Sequence, residues 1–136
     1  MKPEEPQSPE SMRPRYADLF ARMRSQNPDE RDAAFDAVLF ERRNAIPDLI
    51  ACYALAKKEY LLRFYAIQLL GFTRDKGAAP TLITALDDPE PMVRAEACRG
   101  LGDLGLKSSL EQIKARLDDF DIGVRIAAAE AIAIIK

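Results

Sequence analysis

From Tyr16 onward, apolar residues recur at spacings of three and four, the period of an α-helix with one buried stripe. Nowhere do β-branched and polar residues alternate as a half-buried strand requires. Proline and acidic residues interrupt the pattern at roughly every dozen positions, and each interruption reads as a turn between helices. The pattern predicts an all-α chain of about eight helices.

The helices repeat. Stepping by 31 from Arg94 reaches Arg63 and Arg125. Leu62, Val93 and Val124 precede these arginines. Ala66, Ala97 and Ala128 stand three residues after them, and Leu70, Leu101 and Ile132 seven after. An acid, Glu59, Glu90 or Asp121, stands four before each, and Leu55, Leu86 and Leu117 hold the same register. The intervening segments match as well: "AIPDLIACYAL" at 45–55, "GAAPTLITAL" at 77–86 and "SSLEQIKARL" at 108–117. Each unit is therefore two helices, the second carrying Val-Arg-x-x-Ala-x-x-x-Leu. The expected units are 16–44, 45–75, 76–106 and 107–136, the first degenerate.

"DDPEPMVRAEACRGLGDLG" and "DDFDIGVRIAAAEAIAI" resemble the HEAT-like repeats of the phycobilin lyase group, whose unit reads roughly D-x-x-V-R-x-x-A-A-x-A-L-G. The resemblance covers about residues 16–136 and is strongest in units three and four. It implies a right-handed α-solenoid of about four HEAT-like helix pairs, with the second helices lining a concave face. It implies a fold far more than a chemistry.

Most repeated positions read as architecture. Leu62, Ala66 and Leu70 share one helical stripe, as do Val93, Ala97 and Leu101, and Val124, Ala128 and Ile132. Gly71 and Gly102 either allow a neighbouring helix to approach or end their own. The acids before the second helices favour the positive end of the helix dipole. The arginine row has two readings. It is a basic stripe for an acidic partner, or a ladder in which Arg63, Arg94 and Arg125 reach Asp87, Asp88, Asp118 and Asp119 with bidentate bonds. The neighbouring acids favour the ladder.

Functional positions are then those that vary between units yet share an outward face. On the second helices these are Leu61, Tyr65, Gln68, Phe72, Met92, Glu96, Arg99, Asp103 and Glu130. Unit two is rich in aromatic and apolar residues, with Tyr60, Leu61, Phe64, Tyr65 and Phe72 close together. They either form a binding surface or fill space beneath the degenerate first unit.

Composition narrows the chemistry. The net charge of −2 argues against wrapping nucleic acid, and against the basic cleft of the DNA-glycosylase members of this class. Histidine is absent, which removes Ser-His-Asp and Cys-His catalysis and every His-based metal set. It also sets the chain apart from deoxyhypusine hydroxylase, a HEAT-like enzyme that holds iron with repeated His-Glu pairs, and that activity is expected to be excluded. Cys52 and Cys98 read as buried free thiols, because both lie in apolar helical pattern without a CxxC. No apolar run reaches the about 18 residues of a membrane span. Residues 1–15, with Pro3, Pro6, Pro9 and Pro14, read as a disordered tail or a linear motif. "IAAAEAIAIIK" is almost wholly apolar, which suggests self-association through the last repeat.

The resulting expectation is a cytoplasmic, non-catalytic scaffold that holds a protein or peptide on its concave face without a cofactor. The alternative is a phycobilin lyase-like subunit acting on a chromophore-bearing protein.

Overall fold

In a computed structural model of the chain, the structure describes residues 12–136. Eight α-helices follow one another: α1 Pro14–Arg22, α2 Pro28–Phe40, α3 Ile46–Leu55, α4 Tyr60–Thr73, α5 Ala79–Ala85, α6 Pro91–Leu104, α7 Leu110–Lys114 and α8 Ile122–Ile135. No strand occurs among the described residues. Each odd-numbered helix packs on the even-numbered helix that follows it. The even-numbered helices then pack in sequence, α2 on α4, α4 on α6 and α6 on α8. This is an α-solenoid of four helix pairs.

The helix starts follow from local chemistry. Pro28 and Pro91 open α2 and α6, where an amide has no helical partner and a ring costs nothing. Asn27 accepts the amide of Asp29 at 3.0 Å, and Asp121 that of Val124 at 3.1 Å. Glu59 and Glu90 stand at the equivalent starts of α4 and α6 without a capping bond of their own. In the third and fourth units a further acid bonds two residues upstream of the helix start. Asp88 accepts the amide of Glu90 at 2.9 Å and Asp119 that of Asp121 at 3.0 Å.

The first helices are shortest in the last two units. α5 and α7 are short and are preceded by 3-10 turns at Lys76–Ala78 and Lys107–Ser109. A further 3-10 turn, Ala115–Asp118, follows α7 and turns Leu117 outward, although Leu86 in the same register is buried.

The core is the repeated stripe. Leu62, Ala66, Leu70, Val93, Ala97, Leu101, Val124 and Ala128 are all buried, and Ile132 is half-buried. Small residues set the spacing of the second helices. A Cβ on Gly71 would stand 3.1 Å from the Cα of Gly100, and one on Gly102 would stand 3.0 Å from the Cα and Cβ of Ala131. These two glycines therefore permit close approach. The helix-ending role belongs to Arg74 and Gly105, both in the left-handed region with φ of 49° and 68°.

One boundary needs correction. The expected disordered tail ran to residue 15, yet Met12 is buried and α1 begins at Pro14. Arg13 ties this segment to the second unit. Its backbone amide and Nε donate to the Asp48 carboxylate at 3.0 and 2.8 Å, and its guanidinium lies 4.8 Å from the centre of the Tyr16 ring. Residues 1–11 of that expected tail lie outside the described residues. Cys52 and Cys98 are buried and unpaired with each other; burial pushes their thiols up to about 12 and about 11. No helix among the described residues is long and apolar enough to cross a membrane.

Candidate functional site

Each second helix begins on a turn, and each turn holds an arginine from within its own helix. Arg31, Arg63, Arg94 and Arg125 each donate through Nη1 to the carbonyl six residues upstream, at 3.3, 2.8, 2.8 and 2.7 Å. The remaining donors point toward the next unit. Arg63 grips the Asp88 carboxylate through Nε and Nη2 at 2.9 and 3.1 Å. Arg94 grips Asp119 in the same way, at 2.9 Å twice. Each pair spans 25 residues, so it ties one unit to the next.

These pairs sit in dry seams. The Arg63 and Asp88 side chains are 10% and 1% exposed. Burial works to raise the Asp88 pKa, but hydrogen bonds from Arg63, the Glu90 amide and the Tyr53 hydroxyl together hold it below the usual carboxylate value. For Asp119 the Arg94 hydrogen bonds dominate and lower it outright. Tyr53 donates to Asp88 at 2.8 Å, and burial with that acceptor raises its phenol pKa.

Asp87 and Asp118, the other two acids expected in the ladder, do not join these pairs. The backbone of each turn aims the second aspartate inward and the first outward. Asp87 is 84% exposed and its only ion-pair contact among the described residues is Arg116, at 3.7 Å. Asp118 has no ion pair among the described residues. Arg125 keeps two carbonyl acceptors, Asp119 and Phe120, and has no carboxylate among the described residues.

Arg31 escaped the sequence reading. The step from the first unit to the second is 32, which a fixed step of 31 misses. Aligning Pro28 with Pro91 recovers it, and Ala34 and Val38 then fall on the buried stripe. Arg13 with Asp48 was missed as well, since neither residue recurs at the repeat period.

The structure divides the residues expected on the concave face. Leu61, Phe72, Met92, Arg99, Asp103 and Glu130 are exposed. Tyr65 and Gln68 are half-buried, and Glu96 is buried and paired to Arg99 at 2.5 Å. Tyr65 packs against Phe64 and edge-on against Phe35, with ring centres 5.8 Å apart in both cases. The reason is the close approach of the second helices, which shades the positions between them. Part of the aromatic cluster of unit two thus fills the seam beneath unit one.

Two clefts open where the second helices begin. One, of about 420 Å³, runs across α4, α6 and α8. Phe64, Pro91, Met92 and Ala95 form its apolar part, Glu90 and Asp121 stand on its acidic side, and Arg99 closes it. The other, of about 310 Å³, lies at the seam of units one and two, among Met23, Arg24, Arg31, Lys58, Leu61 and Tyr65. Phe120, Ile122, Ile126 and Ile134 are exposed along α8 and the turn before it.

Comparison with known proteins changes the functional expectation. The chain is 40% identical over 88 residues to deoxyhypusine hydroxylase of Saccharomyces cerevisiae, a match covering 62% of this chain and 27% of the yeast protein. It is 37% identical over 103 residues to deoxyhypusine hydroxylase-B of Oryza sativa subsp. japonica, covering 74% of this chain and 28% of that protein. The matched part thus spans little more than a quarter of these relatives.

Both relatives are named as enzymes. That overturns the expectation of a non-catalytic scaffold and the accompanying expectation that the chain is no enzyme. The phycobilin lyase alternative finds no support in these relatives either. The absence of histidine, which argued against deoxyhypusine hydroxylase, removes a donor set and says nothing about descent.

The donor set itself remains unsuited to an iron site of the His-Glu kind. The chain holds no histidine, and among the described residues no three His, Cys, Asp or Glu side chains converge to hold a metal. Asp88 and Asp119 are committed to arginines, and both thiols are buried. A family model described as HEAT repeats matches residues 46–133, the stretch that carries the buried arginine–aspartate rungs and the larger cleft. With repeat geometry and sequence in agreement, the chain belongs to the HEAT-repeat family.

Proposed function

We propose that this chain serves an enzyme of the deoxyhypusine hydroxylase kind, as the part of the solenoid that seats the side chain to be modified. The observation that carries the reading is the cleft across α4, α6 and α8. It lies within the residues matched as HEAT repeats and sets two carboxylates, Glu90 and Asp121, beside an apolar floor of Phe64, Met92 and Ala95. Deoxyhypusine is a lysine-derived residue with a long, cationic side chain. Methylene groups suit the apolar floor, and ammonium groups suit the carboxylates. Asp121 is held in place by its capping bond to Val124, so it is oriented before any ligand arrives.

In this reading the chain supplies grip and orientation. It places no metal ligand and no step of the oxidation on these residues, because the donors present do not fit that task.

The reading is tested by calorimetric titration of the chain with two otherwise identical peptides, one bearing deoxyhypusine and one bearing lysine. The deoxyhypusine peptide is expected to bind more tightly, and Glu90→Gln with Asp121→Asn is expected to remove the difference. Equal affinity for both peptides in the unaltered chain ends the proposal.

A further inference from the structure

The four turn arginines do not have equal partners. Arg63 and Arg94 each hold a carboxylate of the following unit. Arg31 has the same helical position and the same bond to the carbonyl six residues upstream, yet it forms no ion pair with any described residue. The sequence explains why. The residue whose carbonyl receives Nη1 of Arg94 is Asp88, and the residue whose carbonyl receives Nη1 of Arg63 is Lys57. Lys57 therefore stands at the turn position that Asp88 and Asp119 occupy in later units. The first seam has the arginine of a rung and a cation where the acid belongs.

That seam is also open. Arg31 lines the cleft of about 310 Å³ together with Lys58, Arg24, Met23, Tyr60, Leu61 and Tyr65. Glu59 neutralises Arg24 at 2.6 Å, which leaves Arg31 and Lys58 as the cations facing the cleft without an ion-pair partner among the described residues. Two cations over an apolar wall suit one or two carboxylates with an apolar neighbour. They are too few for a run of phosphates.

We propose that the first seam receives an acidic segment of a partner protein, whose carboxylate takes on Arg31 the place that Asp88 takes on Arg63. The partner thereby completes the missing rung, and its apolar neighbour rests on Met23, Leu61 and Tyr65. Lys58 adds a second contact at the rim. The site is distinct from the acidic cleft across α4, α6 and α8, and its charge preference is opposite.

The chain itself provides the probe. A fluorescein-labelled peptide of residues 84–91, TALDDPEP, carries the rung acid of unit three with its natural neighbours. Fluorescence anisotropy is expected to show binding to the full chain. Replacing both peptide aspartates by asparagine is expected to weaken binding by about tenfold or more, as loss of a charge-assisted bidentate bond does. Arg31→Met in the chain is expected to do the same, while Arg125→Met leaves binding unchanged. Lys57→Asp supplies the rung within the chain; it is expected to abolish peptide binding and to raise the melting temperature.

Several results would overturn the proposal. These are no binding to the unaltered chain, or loss with Arg125→Met and not with Arg31→Met. Undiminished binding by Lys57→Asp does the same. Tighter binding by a chain carrying Glu4→Gln, Glu5→Gln and Glu10→Gln would make the chain's own N-terminal residues the occupant. A dimer in sedimentation that Arg31→Met dissolves would make the occupant a second copy.

Discussion

At the scale of residues, position in the array decides what an arginine contributes. Removing Arg63 leaves the Asp88 carboxylate in a seam from which water is excluded, with Tyr53 and one amide as its remaining donors. Arg63→Met is therefore expected to cost about 3–5 kcal/mol, the range for breaking one side of a buried pair. Arg125 has carbonyl acceptors alone among the described residues, so Arg125→Met is expected to cost about 1 kcal/mol. Urea denaturation measures both, and equal losses would refute the ladder as a source of stability. The acids make a second prediction. Asp119 is held below its ordinary 3.8 by Arg94, so the folded state binds its proton later than the unfolded state does. Its contribution is full above the unfolded pKa and fades as pH falls through the folded one. The stability gap between the native chain and Asp119→Asn is thus expected to be constant near neutrality and to close as pH falls through and below the ordinary carboxylate value of 3.8. A gap that widens on acidification contradicts the assignment.

At the scale of elements, α4 and α6 show one task performed with different residues. Both end in the left-handed region, α6 on Gly105 and α4 on Arg74. A side chain there costs about 1–2 kcal/mol, part of which glycine returns as unfolded-state entropy. Arg74→Gly is expected to raise stability by roughly 0.5–1 kcal/mol. Gly102 works the other way. A Cβ there would meet Ala131 of α8 at 3.0 Å, backbone included. Gly102→Ala is expected to push α6 and α8 apart and to cost about 1–3 kcal/mol. Thermal melts of the two variants should move in opposite directions; a fall with Arg74→Gly would show that the arginine side chain, not the backbone, matters at that position.

At the scale of the whole molecule, the HEAT-repeat stack transmits both kinship and limitation. The relatives are hydroxylases by name, and the residues matched as HEAT repeats include the two complete rungs and the acidic cleft. Yet the donors for a His-Glu iron site are missing from the chain. Ferrous iron added anaerobically, or a chelator, is therefore expected to leave the melting temperature unchanged. Metal binding to the native state would raise it by mass action, so a clear iron-dependent rise would reveal a donor set not recognised here.

Much of the fold could be read along the chain because a repeated environment demands a repeated residue. Val93, Ala97 and Leu101 recur with the units since each unit buries the same stripe against the next. The pairing of Arg63 and Arg94 with turn acids could be anticipated for the same reason. Spacing could not say which aspartate of Asp87 and Asp88 turns inward, because that depends on how the turn backbone is aimed between two packed helices. Nor could it separate Gly71 and Gly102 as approach points from Arg74 and Gly105 as helix ends. Both tasks favour small or flexible residues, and contact alone distinguishes them. Tyr65 and Glu96 have outward sequence positions, but neighbouring helices shade them once the stack closes. The open rung at Arg31 lay hidden behind a single inserted residue, and it became visible when four guanidiniums proved to make the same local bond. Periodicity specifies what every unit must share; the departures, such as the open rung at Arg31, acquire their surroundings only between units, after they have packed.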